Sequence, residues 1–131
     1  MRLISFWLTR RQFLDGSKKV TRRHGWGCIV GDEWHDLMAV EKGQGLKLGE
    51  KVKRLGQIKA RGRWERLDAI TRAEVALEGF PGKSPGWFIK FFCRSHKGVK
   101  PETVINRIEF EKVKDVKKTT KTRCGHAPSK C

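Results

Sequence analysis

The sequence is poor in acidic residues and has no long hydrophobic run. It contains 14 Asp and Glu against 30 Lys and Arg, which gives a formal net charge of +16 over 131 residues. No apolar stretch approaches the roughly 18 residues that a membrane-spanning helix needs. The first residues also lack the small-residue cleavage site of a signal peptide. We therefore expect a soluble protein of the cytoplasm that has no membrane partner.

Cysteines are few and irregularly spaced, and this argues against a small secreted disulfide framework. The four are Cys28, Cys93, Cys124 and Cys131. Two of them flank His126 near the end of the chain, but three such ligands without a Cys-x-x-Cys pair match a zinc site poorly. We therefore expect no metal and no other cofactor.

The positive charge is concentrated in three segments. Residues 2–23, 51–66 and 112–131 each carry seven Lys and Arg and one acidic residue. Such blocks favour a surface that meets phosphate groups, while a membrane surface or an acidic protein partner would also attract them. The hydrophobic fraction of 37% suffices for one folded domain. We predict that domain over residues 1–113, followed by a flexible basic tail over residues 114–131.

Strand patterns dominate the first half of the chain, and two helix patterns follow. Apolar alternation predicts strands over residues 2–8, 18–23, 37–41, 57–65 and 103–111. A capping box that starts at Thr71 predicts a helix that ends near Gly79, and Ser84-Pro85 predicts a second helix that reaches about His96. Strands and helices do not alternate regularly. We therefore expect an α+β domain with a small, mostly antiparallel sheet or barrel and flanking helices.

The strand over residues 57–65 separates cations from apolar residues. Side chains alternate between the two faces of a strand, so one face carries Lys59, Arg61 and Arg63. This face is either a track for phosphates or an ordinary solvated surface. Among the tryptophans, Trp64 is expected in the core, and Trp26, in a glycine-rich loop, is the best candidate for stacking on a base.

A candidate functional motif begins where a short predicted helix over residues 10–15 ends. Gly16 permits a tight turn into the strand over residues 18–23. The pattern Gly16-x-Lys18-x-x-Thr21-x-Arg23 resembles the signature of ASCH domains, which are relatives of the PUA fold. The opening strand ISFWL, the segment VALEGFP, the helix SPGWFIKFFC and the closing strand RIEFEKV occur in that order in ASCH-domain proteins of bacteria and bacteriophages. The resemblance covers residues 2–113.

The resemblance implies a small PUA-like β-barrel with flanking helices and a cleft at the motif. ASCH domains are regarded mainly as RNA-binding modules, and other members are linked to ribonuclease activity. One bacterial amidohydrolase of this kind removes the acetyl group from N4-acetylcytidine with a Lys, a Thr and a Glu. Lys18 and Thr21 match the first two, and Glu78 is the best match for the third.

The net charge favours nucleic-acid binding over hydrolysis of a free nucleoside. A net charge of +16 brings no obvious advantage to a hydrolase of free nucleosides, whereas a polyanion is attracted by it. We therefore expect nucleic-acid binding, with RNA ahead of DNA. The residues expected to contact nucleic acid are Lys18, Lys19, Arg22, Arg23, Trp26, Lys59, Arg61 and Arg63.

The alternative is an enzyme that takes a nucleoside ligand. In an amidohydrolase acting on N4-acetylcytidine or a related modified base, Thr21 would attack the amide with Lys18 as the base. Glu78 would orient the lysine or carry the proton. Neutral lysine is required for that role, and burial together with neighbouring cations would lower its pKa.

Overall fold

The computed structural model of the protein describes residues 2–41 and 52–113. In chain order, the elements are β1 (Arg2–Ser5), α1 (Arg10–Asp15), β2 (Val20–Arg23), β3 (His35–Glu41), β4 (Lys53–Arg66), a 3-10 turn (Leu67–Ala69), α2 (Arg72–Leu77), α3 (Pro85–Ser95) and β5 (Val104–Lys112). The predicted tail over residues 114–131, with its cysteines and His126, lies outside the described residues. No helix in the described ranges is long and apolar enough to cross a membrane.

The strands form one mixed sheet in the order β1-β3-β4-β5-β2. The β1–β3 pair is parallel, and the other pairs are antiparallel. The α+β class and the mostly antiparallel sheet are thereby confirmed, but the expected closure into a barrel is wrong for the described strands. The two edge strands, β1 and β2, do not pair with each other. A side-chain contact joins them instead: Arg23 Nη2 donates to the carbonyl oxygen of Ser5 at 2.6 Å.

Two hydrophobic clusters form the core. The first lies on the apolar face of the sheet, where Ile58 and Ala60 of β4 are fully buried with Phe6 and Phe13. The second joins β5 to the helices and contains Val75, Phe88 and Phe92 among others. The alternation in β4 therefore predicts the buried face correctly near the middle of the strand. Trp64, near the strand's end, is 48% exposed, so its expected place in the core is wrong.

The helix boundaries follow their capping residues. Thr71 Oγ1 accepts a hydrogen bond from the backbone N–H of Glu74 at 3.2 Å, and Ser84 Oγ accepts one from Trp87 at 3.0 Å. Each cap satisfies an N–H group that has no partner within its helix. Both predicted helix starts are confirmed.

Candidate active site

A cavity of about 640 Å³ lies where the two hydrophobic clusters meet. Part of its wall is polar and part is aromatic, and the aromatic part comes from Phe6, Phe80, Phe88, Phe91 and Phe92. Trp7 and Leu8 also line it, and they are 57% and 65% exposed. Lys18, Thr21 and Glu78 all line this cavity. The structure therefore brings together the three side chains that the sequence predicts as a catalytic set.

Lys18 and Glu78 meet because the ends of two short helices pack against each other. Gly16 takes a left-handed conformation (φ 83°) at the end of α1, which a residue with a side chain rarely adopts. The turn is then held by hydrogen bonds from Lys18 N to Gln12 O at 3.1 Å and from Lys19 N to Leu77 O at 2.8 Å. Because Leu77 ends α2, this second bond brings Lys18 next to Glu78.

Lys18 is 3% exposed, and its Nζ is hydrogen-bonded to two oxygen atoms of Glu78. Its Nζ donates to the backbone oxygen of Glu78 at 2.6 Å and to Oε1 at 3.2 Å. Burial lowers the pKa of Lys18, Glu78 opposes that change, and the charges of Arg23 and Arg22 add to it. A neutral lysine has two N–H groups and one lone pair, so Glu78 can accept from both N–H groups and leave the lone pair to take a proton.

Thr21 and Arg23 lie on one face of β2 and form part of the polar wall of the cavity. Thr21 is 4% exposed, and its Oγ1 accepts a hydrogen bond from Arg23 Nε at 3.2 Å. Burial lowers the pKa of Arg23 to about 10, and the charge of Glu78 opposes the change. Within the described part of the chain, Nη1 of Arg23 makes no hydrogen bond and stays available to a ligand.

Arg22 also lines the cavity and is surrounded by carboxylates. Its side chain is 1% exposed and forms ion pairs with Glu78 at 2.9 Å, Glu65 at 2.8 Å and Glu74 at 2.9 Å. Arg107 Nε also donates to Oε1 of Glu74, at 2.7 Å, and this hydrogen bond, with the one from Arg22, lowers the pKa of Glu74 to about 2. Arg22 is thus buried within the fold rather than presented to phosphate.

No family model and no curated protein matches the chain. Among solved structures, the chain is similar to the crystal structure of protein EF3133 from Enterococcus faecalis V583, which is assigned to the family model DUF984. The TM-score is 0.58 at 10% identity, and the match covers 97% of this chain and 86% of the other. A likeness at this identity shows the fold alone.

The three cations of β4 expected to contact nucleic acid are partly or fully exposed, but each is paired with an acid. Lys59 lies 3.9 Å from Asp36, Arg61 lies 3.1 Å from Glu109, and Arg63 lies 3.5 Å from Glu65. These acids come from distant parts of the chain or from the same strand, so a count of charges along the sequence cannot find the pairs. Of the other residues expected at nucleic acid, Lys19 is exposed and Trp26 is half-buried, with Arg2 3.9 Å above its ring.

A cationic surface that the sequence analysis missed lies on α3 and just beyond it. Residues 79–101 contain five Lys and Arg and no acidic residue. Lys90, Arg94 and Lys97 are exposed, and none of them forms an ion pair with another described residue. Helical spacing places Lys90 and Arg94 on the opposite side of α3 from Phe88 and Phe92, and Lys97 lies two residues beyond the end of the helix. The absence of acids over this run is the sequence signal that could have revealed it.

Proposed function

We propose that this protein hydrolyses an amide bond of a small acylated base, of which N4-acetylcytidine is the model substrate. The observation that carries the proposal is a buried Lys18–Glu78 pair that shares one cavity with Thr21. A buried lysine with a lowered pKa that lines the same cavity as a hydroxyl group is an arrangement suited to general-base catalysis. The aromatic wall provides a surface on which a planar base can stack.

The proposed reaction has two stages. Lys18, as the neutral amine, takes the proton of Thr21 while Oγ1 attacks the carbonyl carbon of the amide. The C–N bond then breaks, and Lys18 returns the proton to the leaving amine nitrogen. Water next attacks the ester on Thr21, again giving a proton to Lys18, and this proton returns to Oγ1 when the carboxylic acid leaves. The products are the free amine of the base and a carboxylic acid.

Arg23 fits this scheme as a group that stabilises charge. Because its Nε–H donates to Oγ1 of Thr21, the hydroxyl proton of Thr21 has to point elsewhere, and this leaves it for a base. The unpaired Nη1 can donate to the oxyanion that forms when the carbonyl is attacked. A cation that is held by Ser5 and Thr21 needs little rearrangement for this task.

Membership of the ASCH group, with its PUA-like fold, is part of the same proposal. It is supported by the convergence of Lys18, Thr21 and Arg23 of the motif on one cavity. Glu78, which the resemblance selects as the third residue, contacts Lys18 directly. The open sheet of the described residues departs from the barrel that the resemblance implies.

Incubation with N4-acetylcytidine tests the proposed activity. We expect the wild-type protein to release cytidine and acetate, and Thr21→Val to release them at least about a hundredfold more slowly because the nucleophile is lost. Thr21→Ser, which keeps the hydroxyl, should retain activity. Thr103→Val is the matched control because Thr103 lies outside the cavity. Equal rates for Thr21→Val and wild type would contradict the proposal, and so would degradation of RNA without release of cytidine.

Nucleic-acid binding is a second candidate function, and we propose its location on α3 rather than at the motif. The observation in its favour is the exposed set of Lys90, Arg94 and Lys97, which have no acidic partner among the described residues. Such a row of unpaired cations attracts a polyanionic strand and releases its counterions. Since Lys90 and Arg94 lie on the opposite side of α3 from Phe88 and Phe92, we expect binding there to be separate from the chemistry of Lys18 and Thr21.

Salt-dependent binding distinguishes the two cationic surfaces. We expect single-stranded RNA to bind the wild type, and the triple variant K90Q/R94Q/K97Q to lower the slope of log affinity against log salt by about 2. The variant R61Q/R63Q, on β4, should change the slope less because Glu109 and Glu65 already pair with these cations. Fluorescence anisotropy with matched RNA and DNA oligonucleotides would measure both. Equal slopes for the triple variant and wild type would contradict binding at α3.

A further inference from the structure

Arg22 connects Glu78 to the rest of the fold, and the ASCH-like pattern does not include it. Its Nη1 donates to Oε2 of Glu78 at 2.9 Å. Its Nη2 donates to Glu65 Oε2 at 2.8 Å and to Glu74 Oε1 at 2.9 Å. These three carboxylates come from β4, α2 and the residue after α2, so the guanidinium is fixed from several elements at once.

The two oxygens of Glu78 are divided between two cations. Oε1 accepts from Lys18, and Oε2 accepts from Arg22. A carboxylate that binds one cation through each oxygen cannot rotate without losing a hydrogen bond, and both residues are buried, at 3% and 4% exposure for Glu78 and Arg22. Glu65 and Glu74 hold Arg22 independently, so its position does not depend on Glu78 alone.

We propose that Arg22 is a positioning residue, which holds Oε2 of Glu78 so that Oε1 is directed at Nζ of Lys18. Arg22 acts through Glu78 and takes no part in proton transfer. The kinetic consequences rest on the proposed hydrolase function, but the arrangement of Lys18 and Glu78 does not. The role explains why a cation of the first basic block is enclosed by acids instead of being exposed.

The effect on Lys18 has a definite sign. The charged groups that face Lys18 from the described elements are Glu78, after α2, and Arg22 and Arg23, on β2. Without Arg22, a like charge beside Lys18 is lost, and this loss favours the protonated amine and raises the pKa of Lys18. The neutral fraction of Lys18 at pH 7 therefore falls.

Titration of Lys18 by NMR in the full chain tests the inference without an activity assay. The protein is labelled with lysine that carries carbon-13 at Cε, and the Lys18 signal is assigned from its absence in Lys18→Met. We expect Arg22→Met to raise the pKa of Lys18 by about one unit. Arg22→Gln, which also removes the charge but keeps an amide donor, serves if Arg22→Met folds poorly and should shift the pKa in the same direction.

Arg107→Met is the matched control. It removes the other arginine that binds Glu74 and does not contact Glu78, so a purely structural effect of the network would appear in it as well. We expect the pKa of Lys18 to be unchanged in this variant. An unchanged pKa in both Arg22 variants, or an equal shift in Arg107→Met, would overturn the positioning role.

Kinetics with N4-acetylcytidine give the second readout. We expect Arg22→Met to lower kcat at pH 7 about tenfold, in step with the smaller neutral fraction of Lys18, to restore part of it at higher pH, and to leave KM nearly constant. A raised KM with an unchanged kcat would make Arg22 a substrate-binding group and overturn the proposal. If the wild type hydrolyses nothing, the proposed function fails, while the NMR titration still decides the role of Arg22.

Discussion

Replacement of Lys18 by methionine is expected to reduce amide hydrolysis at pH 7 by a factor of about a hundred or more, because the proposed base is removed. Burial lowers the pKa of Lys18, Glu78 works against that shift, and Arg23 and Arg22 strengthen it. The wild-type rate should therefore rise with pH as the amine loses its proton, with a midpoint below the ordinary lysine value of 10.5. The rate that remains in Lys18→Met should lack this rise.

The same substitution should leave the fold intact. Methionine fills a similar volume, and Arg22 still pairs with the buried carboxylate of Glu78. A lysine whose pKa is lowered in the folded state opposes folding at low pH, and this penalty disappears as the pH rises from the lowered value towards 10.5. We therefore expect Lys18→Met to be about as stable as wild type at high pH and relatively more stable at low pH.

Lys19→Met is the control for this experiment because Lys19 is adjacent in sequence but exposed. It should retain the wild-type rate and pH profile. Rates of cytidine release across pH, together with denaturant unfolding of each variant, measure both effects. A folded Lys18→Met variant with wild-type activity would show that Lys18 is not the base.

The motif residues illustrate what could be predicted from the sequence and what could not. The resemblance selects Lys18, Thr21 and Glu78, and they line one cavity. Arg22 belongs to the same basic segment, yet it is buried among carboxylates. Strand alternation places Arg22 on the face opposite Thr21, but it cannot show that α2 covers that face. The burial of Arg22 depends on packing between distant elements.

Charge counting fails for a related reason. The segment over residues 51–66 is strongly basic in sequence, but on β4 Arg61 faces Glu109 across the sheet. Exposed surface pairs of this kind contribute little stability, but they reduce the attraction for a polyanion. Lys90 and Arg94 lie in a less conspicuous run and meet no described acid. Pairing in three dimensions, which depends on strand register, decides which cations stay available.

The strands and the helix starts could be predicted from the sequence, but the absence of pairing between the two edge strands could not. Apolar alternation identifies β4 and its buried residues Ile58 and Ala60, and the capping residues mark where α2 and α3 begin. Closure of the sheet depends on whether β1 and β2 come close enough to share hydrogen bonds. The bond from Arg23 to Ser5 involves residues far apart in sequence, so no local pattern predicts it.

Gly62→Ala is expected to have the largest effect on stability. A Cβ atom at this position of β4 would overlap Oδ1 of Asn106 and the backbone oxygen of Ile29. Asn106 donates from Nδ2 to the backbone oxygens of Ile29 and Trp26, at 2.8 Å each, and thereby fixes the loop over residues 24–31 against the sheet. Neither neighbour can move without breaking these bonds. We expect a loss of about 3 kcal/mol in the free energy of unfolding.

Displacement of the loop over residues 24–31 is also expected to affect the candidate site. The guanidinium of Arg23 lies 5.8 Å from the ring of Trp26, so a displaced loop removes a neighbour of the cation that binds Thr21. Hydrolysis should therefore fall together with stability. Gly86→Ala is the matched control because a Cβ there would meet only Ser84 Oγ, at 3.9 Å, and alanine is a better helix former than glycine. Denaturant unfolding should show Gly86→Ala at least as stable as wild type, and an equally stable Gly62→Ala would contradict the close approach of this loop to β4.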